Sequence, residues 1–166
     1  MLRRDFLKAA AAIPFAAPSL ALGADKRVLR FTPQADLSVL DPIWTTATVT
    51  RNHAFLVFDT LYGQDNAYRA QPQMAEGATT EADGKLWKIT LRPGLKFHDG
   101  EPVLAKDCVA SIRRWGKRDA YGQTLLAATD ELSAPDDQTL QFRLKRPFPL
   151  LPDALAKCTA FPPAIM

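Results

Sequence analysis

The most informative part of this 166-residue chain is DGKLWKITLRPGLKFHDGEPVLAKDCVAS, residues 83–111. Its Asp83-Gly84 pair is a hairpin-type turn signal, and apolar residues alternate with polar ones behind it at Trp87, Ile89 and Leu91. Such alternation predicts a strand with one buried face. A tight turn at residues 97–100 is then followed by apolar residues at the spacing of one helix face: Ala105, Cys108, Val109, Ile112 and Trp115. The segment predicts a strand and a helix that share a core.

A second hairpin is predicted downstream. Leu132 precedes an Asp136-Asp137 turn, after which apolar residues again alternate with polar ones, at Leu140, Phe142 and Leu144. Strands and helices are therefore mixed along the chain, which predicts an α/β architecture.

Weaker patterns predict two further helices. One is expected over residues 48–58, with Thr48 as its N-cap, and a short one is expected over residues 153–157. Gly63 is expected to mark a chain reversal. Gly116 or Gly122 is expected to end the helix that begins near Ala105.

Length and composition limit the class of protein. With 166 residues, 47% of them hydrophobic and 23% charged, the chain has the size and composition of one globular domain. The formal net charge is +3, and the first eight residues, with three cations and one acid, supply +2 of it. The rest of the chain has a net charge of about +1, which is too small for a basic surface that binds nucleic acid. Nucleic-acid partners are therefore not expected.

Residues 1–24 have the three parts of an export signal. Arg3 and Arg4 supply a positive start, residues 9–22 an almost wholly apolar or small middle, and residues 21–23 a small-residue exit. The apolar run of about 14 residues is shorter than the ~20 that a membrane-spanning helix needs. The string RRDFLK resembles the twin-arginine signal, with Leu2 where serine is usual, so the twin-arginine and general secretion routes both stay open. The prediction is a mature protein, residues 25–166, that works in the periplasm.

Side chains suited to catalysis or metal binding are few. His53 and His98 have no partner at metal-ligand spacing, and His98-Asp99 falls in a predicted turn, where aspartate usually bonds its own backbone. The chain has neither a glycine-rich phosphate loop nor a G-x-S-x-G nucleophile motif. We therefore expect no enzyme activity, no metal and no cofactor in these residues.

The cysteines could be paired or free, and the tryptophans could pack in the core or contact a ligand. Cys108 and Cys158 would pair in an oxidising compartment only if their α-carbons came within about 7 Å, whereas the apolar helix face favours a buried, unreactive thiol at Cys108. Trp87 and Trp115 lie on predicted core faces. Trp44 follows a turn in a loop and is the tryptophan expected to reach a ligand.

The order of these motifs resembles the family 5 extracellular solute-binding proteins, the peptide-, nickel- and opine-type receptors of ABC importers. Residues 83–111 follow the family pattern D-G-x-x-W/Y-x-F/I-x-L-R-x-G-V/L-x-F/W-x-D-G-x-P-V/L-T-A-x-D-V. Further matches to the family follow in order over residues 28–152. Residues 40–42 match the family's S-L-D-P turn, and residues 59–63 and 73–77 match its D-x-L-Y-E-G-L and P-x-L-A-E-S elements. Residues 133–147 match its V-x-A-P-D-D-x-T-V-x-F-x-L hairpin. Leu104 replaces the family's helix-capping threonine and Cys108 its valine or phenylalanine; neither changes the assignment.

The resemblance implies a two-lobe fold of the type II periplasmic-binding-protein class, with an extra N-terminal subdomain, that closes around its solute. The chain stops in the apolar string FPPAIM, residues 161–166. We expect it to be an N-terminal fragment that supplies the start of lobe I and much of the subdomain.

The resemblance also implies where the solute binds. Family members contact it partly through the loop after the S-L-D-P turn, which here is Trp44, Thr45, Thr46, Ala47 and Thr48. Backbone groups of this loop would pair with an extended peptide as an added strand does, and Trp44 would form an apolar wall. Some peptide receptors have an acidic residue where this chain has Thr46, so opines, other amine or sugar conjugates and metal chelates stay open beside peptides.

Two functional hypotheses follow. The first is a monomeric solute-binding component of an ABC importer that delivers a peptide, an opine or a similar solute to permease subunits in the inner membrane. The second is an exported periplasmic enzyme whose catalytic residues lie beyond residue 166. Neighbouring genes would separate them, since an importer is encoded beside permeases and ATPases.

Overall fold

The computed structural model describes residues 30–158 and 162–166, so the predicted export signal, residues 1–24, lies outside the described residues. The chain forms two units, Met1–Thr32 and Pro33–Met166. In the first unit, residues 30–32 have no regular secondary structure. Every helix and strand that the structure describes lies in the second unit.

A small antiparallel sheet comes first, formed by β1 (Tyr62–Gln64) and β2 (Ala70–Pro72). Gly63 lies within β1, so the prediction that it marks a reversal is wrong. The chain reverses at Asp65, whose carboxylate accepts hydrogen bonds from two backbone N–H groups of the turn, at 2.8 and 2.9 Å. Aspartate favours such turns because its short side chain reaches the backbone two residues ahead.

The main sheet is antiparallel and has four strands. These are β3 (Ala75–Glu81), β4 (Leu86–Leu91), β5 (Thr129–Ser133) and β6 (Thr139–Leu144), in the order β3-β4-β6-β5. Both predicted hairpins are therefore confirmed. In the β5–β6 turn, the carboxylate of Asp136 accepts the backbone N–H groups of residues 138 and 139, at 2.8 and 2.7 Å, which is a structural use of an acidic pair.

The β3–β4 turn forces three successive residues into the left-handed region. The φ angles are 50° at Ala82, 52° at Asp83 and 82° at Gly84. Glycine adopts this region freely and aspartate tolerates it, whereas alanine does so only at a cost in energy. The Asp83-Gly84 signal is therefore confirmed, and Ala82 is the strained member of the turn.

Four helices lie in the part of this unit that the structure describes. They are α1 (Thr48–Val57), α2 (Ala105–Gly116), α3 (Ala120–Ala128) and α4 (Leu151–Leu155). The helix predicted after Ala105 is confirmed and ends at Gly116. The short helix predicted over residues 153–157 begins two residues earlier than expected, because Pro152 occupies the first turn, where its missing N–H costs nothing.

Two predictions about helix caps are settled by the structure. Thr48 does not cap α1: Ala47 holds the N-cap position, and its N–H donates to the Thr45 hydroxyl at 3.2 Å. At α2, the N-cap is Leu104, which has no side-chain acceptor to offer. Asp107 still accepts the Leu104 N–H at 3.0 Å, so half of a reciprocal cap remains.

The core lies between α2 and the main sheet. The predicted apolar face of α2 is buried, with no member more than 7% exposed: Ala105, Cys108, Val109, Ile112 and Trp115. It packs in one cluster with Ile89 of β4 and with Leu140 and Phe142 of β6, all fully buried. Burial of such side chains is the main stabilising contribution to the fold.

The connection between α2 and α3 is fixed at a buried carboxylate. Asp119 is only 3% exposed, and its Oδ1 accepts the N–H groups of Tyr121 and Gly122, both at 2.9 Å, as the N-cap of α3. The other carboxylate oxygen pairs with the ammonium group of Lys157. This connection lies beside the candidate site.

Candidate functional site

The five residues predicted to contact a solute form a continuous, largely exposed surface. Trp44 ends a turn, residues 45–47 are irregular, and Thr48 is the first residue of α1. Thr45 is half-buried and the other four are exposed, Trp44 by 63%. An exposed tryptophan of this size on a loop is a large apolar surface that the described part of the chain does not cover.

The turn before the loop is anchored to the core. Ile43 is 1% exposed, and its N–H donates to the Asp41 carboxylate at 3.0 Å. The N–H of Trp44 donates to the Asp41 carbonyl at 3.1 Å. The Asp41 carboxylate also forms an ion pair with Arg114 near the end of α2. This hydrogen-bonded ion pair holds the pKa of Asp41 below its usual value of 3.8, since it favours the charged form.

Arg118, from the connection between α2 and α3, contacts Trp44 in two ways. Its guanidinium carbon lies 4.7 Å from the centre of the Trp44 ring, which is cation–π geometry. Its Nη2 also donates a long hydrogen bond to the Trp44 carbonyl, at 3.4 Å. Arg114 and Arg118, one helical turn apart in spacing, therefore hold the two ends of the turn that precedes the loop.

Backbone groups of the loop are available for binding. Ala47 uses its N–H for Thr45 and its carbonyl for Arg51. Within residues 30–158 and 162–166, no hydrogen bond engages the N–H or carbonyl groups of Thr45 and Thr46. The loop can therefore offer both donors and acceptors to an extended ligand, as the edge of a sheet does.

The loop lies outside two cavities that other parts of the chain form. One, of about 470 Å³, is lined by residues of α1, β1 and the segment after α4, including Phe55, Tyr68 and Cys158. The other, of about 210 Å³, is lined mainly by apolar residues, including Met74 and Ile165. In the described part of the chain no residue of the loop lines either of these cavities.

The other two tryptophans and the two cysteines lie outside the loop at residues 44–48. Trp115 is fully buried, and Trp87 is half-buried with its indole N–H donating to the Gly84 carbonyl at 3.2 Å. Cys108 is buried and unpaired, as the helix face predicted, and desolvation raises the pKa of its thiol to about 12. Cys158 is also a free thiol and is exposed, so the alternative of a disulfide is wrong for this structure.

Neither a metal site nor a membrane span is found in the residues that the structure describes. Among residues 30–158 and 162–166, no three His, Cys, Asp or Glu side chains come close enough together to hold a metal ion. No helix in the same residues is long and apolar enough to cross a bilayer. His98 lies in the predicted turn at residues 97–100, where the N–H of Gly100 bonds the carbonyl of Phe97 at 3.0 Å.

Arg114 and Arg118 are the site residues that sequence reasoning missed. In the sequence, the cations of the run RRWGKR, residues 113–118, flank the apolar Trp115 and indicate only the polar side of a helix. Its contact with a turn more than 70 residues earlier has no local signal, because it depends on how α2 and the segment before α1 pack together.

The chain matches known proteins over most of its length. Residues 69–165 match the family described as bacterial extracellular solute-binding proteins, family 5 Middle. The probable peptide ABC transporter periplasmic-binding protein y4tO of Sinorhizobium fredii is 42% identical over 161 residues, which cover 93% of this chain and 30% of that protein. The glutathione-binding protein GsiB of Salmonella typhi is 29% identical over 124 residues, which cover 74% of this chain and 24% of that protein.

A solved structure supports the same assignment. The binding protein MoaA of A. tumefaciens R10, solved in complex with mannopinic acid, matches with a TM-score of 0.67 and 28% identity over 79% of this chain and 27% of that one. This likeness confirms the predicted mixed α/β fold of a periplasmic binding protein. The chain spans less than a third of the length of each of these relatives. Since the family match covers more than half of the chain, the protein belongs to the family 5 bacterial extracellular solute-binding proteins.

Proposed function

We propose that this chain is part of the substrate-binding component of an ABC importer, which captures a small solute in the periplasm and delivers it to a membrane permease. The observation that carries the proposal is the family match over residues 69–165, together with the 42% identity to a probable peptide ABC transporter binding protein. The relatives with which it compares are binding proteins, which favours capture of the solute without chemical change over the enzyme alternative.

The loop at residues 44–48 would supply part of the solute contact. Trp44 presents an exposed apolar surface, and the free backbone groups of Thr45 and Thr46 provide donors and acceptors beside it. A peptide or another extended, polar solute suits this combination, because backbone pairing gives affinity and a neighbouring apolar wall gives selectivity. The remaining contacts would come from parts of the protein that this chain does not contain.

The solute class is narrowed by the relatives and by Thr46. The names of the relatives include peptide, glutathione and mannopinic acid binding, so peptide-like and opine-like solutes are the first to test. Thr46 is uncharged at the position where the family resemblance allows an acidic residue for a peptide amino end. We therefore favour solutes whose recognition does not depend on a free α-amine, with metal chelates as a further class.

The proposal includes location and partners. Residues 1–24 would direct export through the twin-arginine or the general secretion route, the mature protein would act as a monomer, and its macromolecular partners would be the two permease subunits. Fractionation of cells that express the tagged full-length protein tests the location directly, and a protein that stays in the cytoplasm would contradict it.

The decisive experiment is a binding screen on the full-length mature protein. Tripeptides, glutathione, mannopinic acid and nickel–histidine chelates would be added singly while the unfolding midpoint is followed, since a ligand that binds only the folded state raises it. Mass spectrometry of the released solute tests the enzyme alternative. Recovery of the solute unchanged supports capture, and conversion to a product would refute the proposal.

A pair of variants tests the loop itself. Trp44→Ala removes the exposed ring, and Leu56→Ala removes a side chain of α1 that is 85% exposed and lies outside the loop. We expect Trp44→Ala to weaken solute binding by about tenfold or more, since a well-packed aromatic contact is worth about 2 kcal/mol in an interface. Leu56→Ala should bind as the parent does. Equal affinity of both variants would remove the loop from the site.

A further inference from the structure

We infer that Arg118 is a positioning residue for the candidate solute loop. It lies against one side of Trp44 and fixes the ring and backbone of that residue, and it thereby sets the affinity of the loop for a solute that it does not itself need to touch. The inference concerns the same site as the proposed function and rests on it for its consequence for binding.

The first argument is that two contacts from one side chain converge on one residue. The guanidinium carbon of Arg118 lies over the Trp44 ring, 4.7 Å from its centre, and Nη2 donates to the Trp44 carbonyl at 3.4 Å. The ring contact restricts side-chain rotation, and the carbonyl contact restricts the backbone. The planar guanidinium suits this double role, because it presents a flat face to an aromatic ring while its edge keeps N–H donors.

The second argument is that Arg118 is itself well anchored. Its N–H donates to the Trp115 carbonyl at 2.9 Å, at the end of α2, and the next residue is the buried Asp119 that caps α3. In the part of the chain that the structure describes, five cationic side chains form ion pairs with carboxylates, and Arg118 is not one of them. Its charge acts on Asp41, whose pKa it helps to lower, and its direct side-chain contacts are with Trp44.

The consequence for the loop is pre-organisation. A tryptophan on an irregular loop has several rotamers. If a solute binds only one of them, its affinity falls with the fraction of the protein that has this rotamer before binding. With one face of the ring against Arg118, the exposed surface that remains lies on the opposite face and the edges. The arginine thus presents Trp44 to the solute in one orientation before binding.

The test begins with the position of the ring, without any solute. The full-length protein would be labelled with 5-fluorotryptophan, and the Trp44 resonance assigned by its loss in Trp44→Phe. Arg118→Gln should shift and broaden the Trp44 resonance and leave the other tryptophan resonances in place. Arg118→Lys should restore the parent spectrum only in part, because an ammonium also binds an aromatic face but lacks the planar fork that reaches ring and carbonyl together. Lys117→Gln, which removes an exposed charge one residue away, should have no effect.

The second measurement is affinity, by calorimetry, with glutathione and mannopinic acid as the probes. Arg118→Gln should bind about two- to fivefold more weakly, the change that corresponds to one exposed cation–π contact. Arg118→Lys should recover part of this loss, and Lys117→Gln should match the parent. An unmoved fluorine resonance in Arg118→Gln overturns the inference, as does a moved resonance with unchanged affinity. If the parent protein binds neither probe, the proposed function fails for those solutes, while the fluorine spectrum still decides whether Arg118 holds the ring.

Discussion

The contact between α2 and α3 leads to a prediction with an unusual sign. Replacing a glycine inside a helix by alanine normally raises the free energy of unfolding of the protein by about 1 kcal/mol. Gly122 should behave in the opposite way. A methyl group added there would lie 2.9 Å from the Cα of Gly116 and 3.0 Å from the Trp115 ring, and the first of these atoms belongs to the backbone. Trp115 is fully buried and has no room to move aside.

The expected change is the difference between two opposing terms. Overpacking of a tight core lowers the free energy of unfolding by about 1–3 kcal/mol. The higher helix propensity of alanine raises it by about 1 kcal/mol. Gly122→Ala should therefore destabilise the protein by about 1 kcal/mol net. Because this contact sets how α3 meets α2, it also supports the connection that carries Arg118.

Urea unfolding followed by circular dichroism measures this change, with the slope of the transition as a check that the unfolded state is unaltered. Gly77→Ala is the control, since an added methyl group there has nothing within 4 Å, and its stability should stay within about 0.5 kcal/mol of the parent. A Gly122→Ala variant that is more stable than the parent would show that the two helices are not in close contact.

Ala82→Gly should raise the free energy of unfolding by about 0.5–1 kcal/mol, because alanine is strained at a φ of 50°, and a loss of stability on urea unfolding would contradict this. The lowered pKa of Asp41 stabilises the folded state above its unfolded pKa of about 3.8, and this stabilisation is lost as the pH falls through the lower folded value. The difference in thermal midpoint between the parent and Asp41→Asn should therefore be constant near neutral pH and shrink below about pH 3.8; a constant difference down to about pH 2 would rule out the ion pair with Arg114 as its source. A thiol-specific reagent at about pH 8 should modify Cys158 rapidly in the folded protein and Cys108 only after unfolding, because burial raises the pKa of Cys108 to about 12, and rapid reaction of both thiols would contradict that burial.

The elements predicted correctly are those with strong periodicity. β4 and the apolar face of α2 alternate or recur over enough residues to be distinguished from chance, and the Asp83-Gly84 turn signal adds an independent local constraint. β1 and β2 have only three residues each, too few for any period to show. α3 has no comparable signal, because its sequence, AYGQTLLAA, has no clear polar face and contains Gly122, a residue type that favours helix ends.

The candidate site also combines features that have a local sequence signal with features that depend on packing. Its location in the chain follows from the turn at Asp41 and from the family resemblance, and both are local features of the sequence. Its solute-binding role stays a prediction. The two arginines that support it were not predictable, because their partners lie more than 70 residues away and only the packed structure brings them together.

The buried carboxylate of Asp119 has a consequence for the loop beside it. It joins the start of α3 to Lys157, and the neighbouring Arg118 extends this rigid base to the edge of the molecule. If the loop binds a ligand, much of the entropy that it must lose would be lost once, when the chain folds, and not again at each binding event.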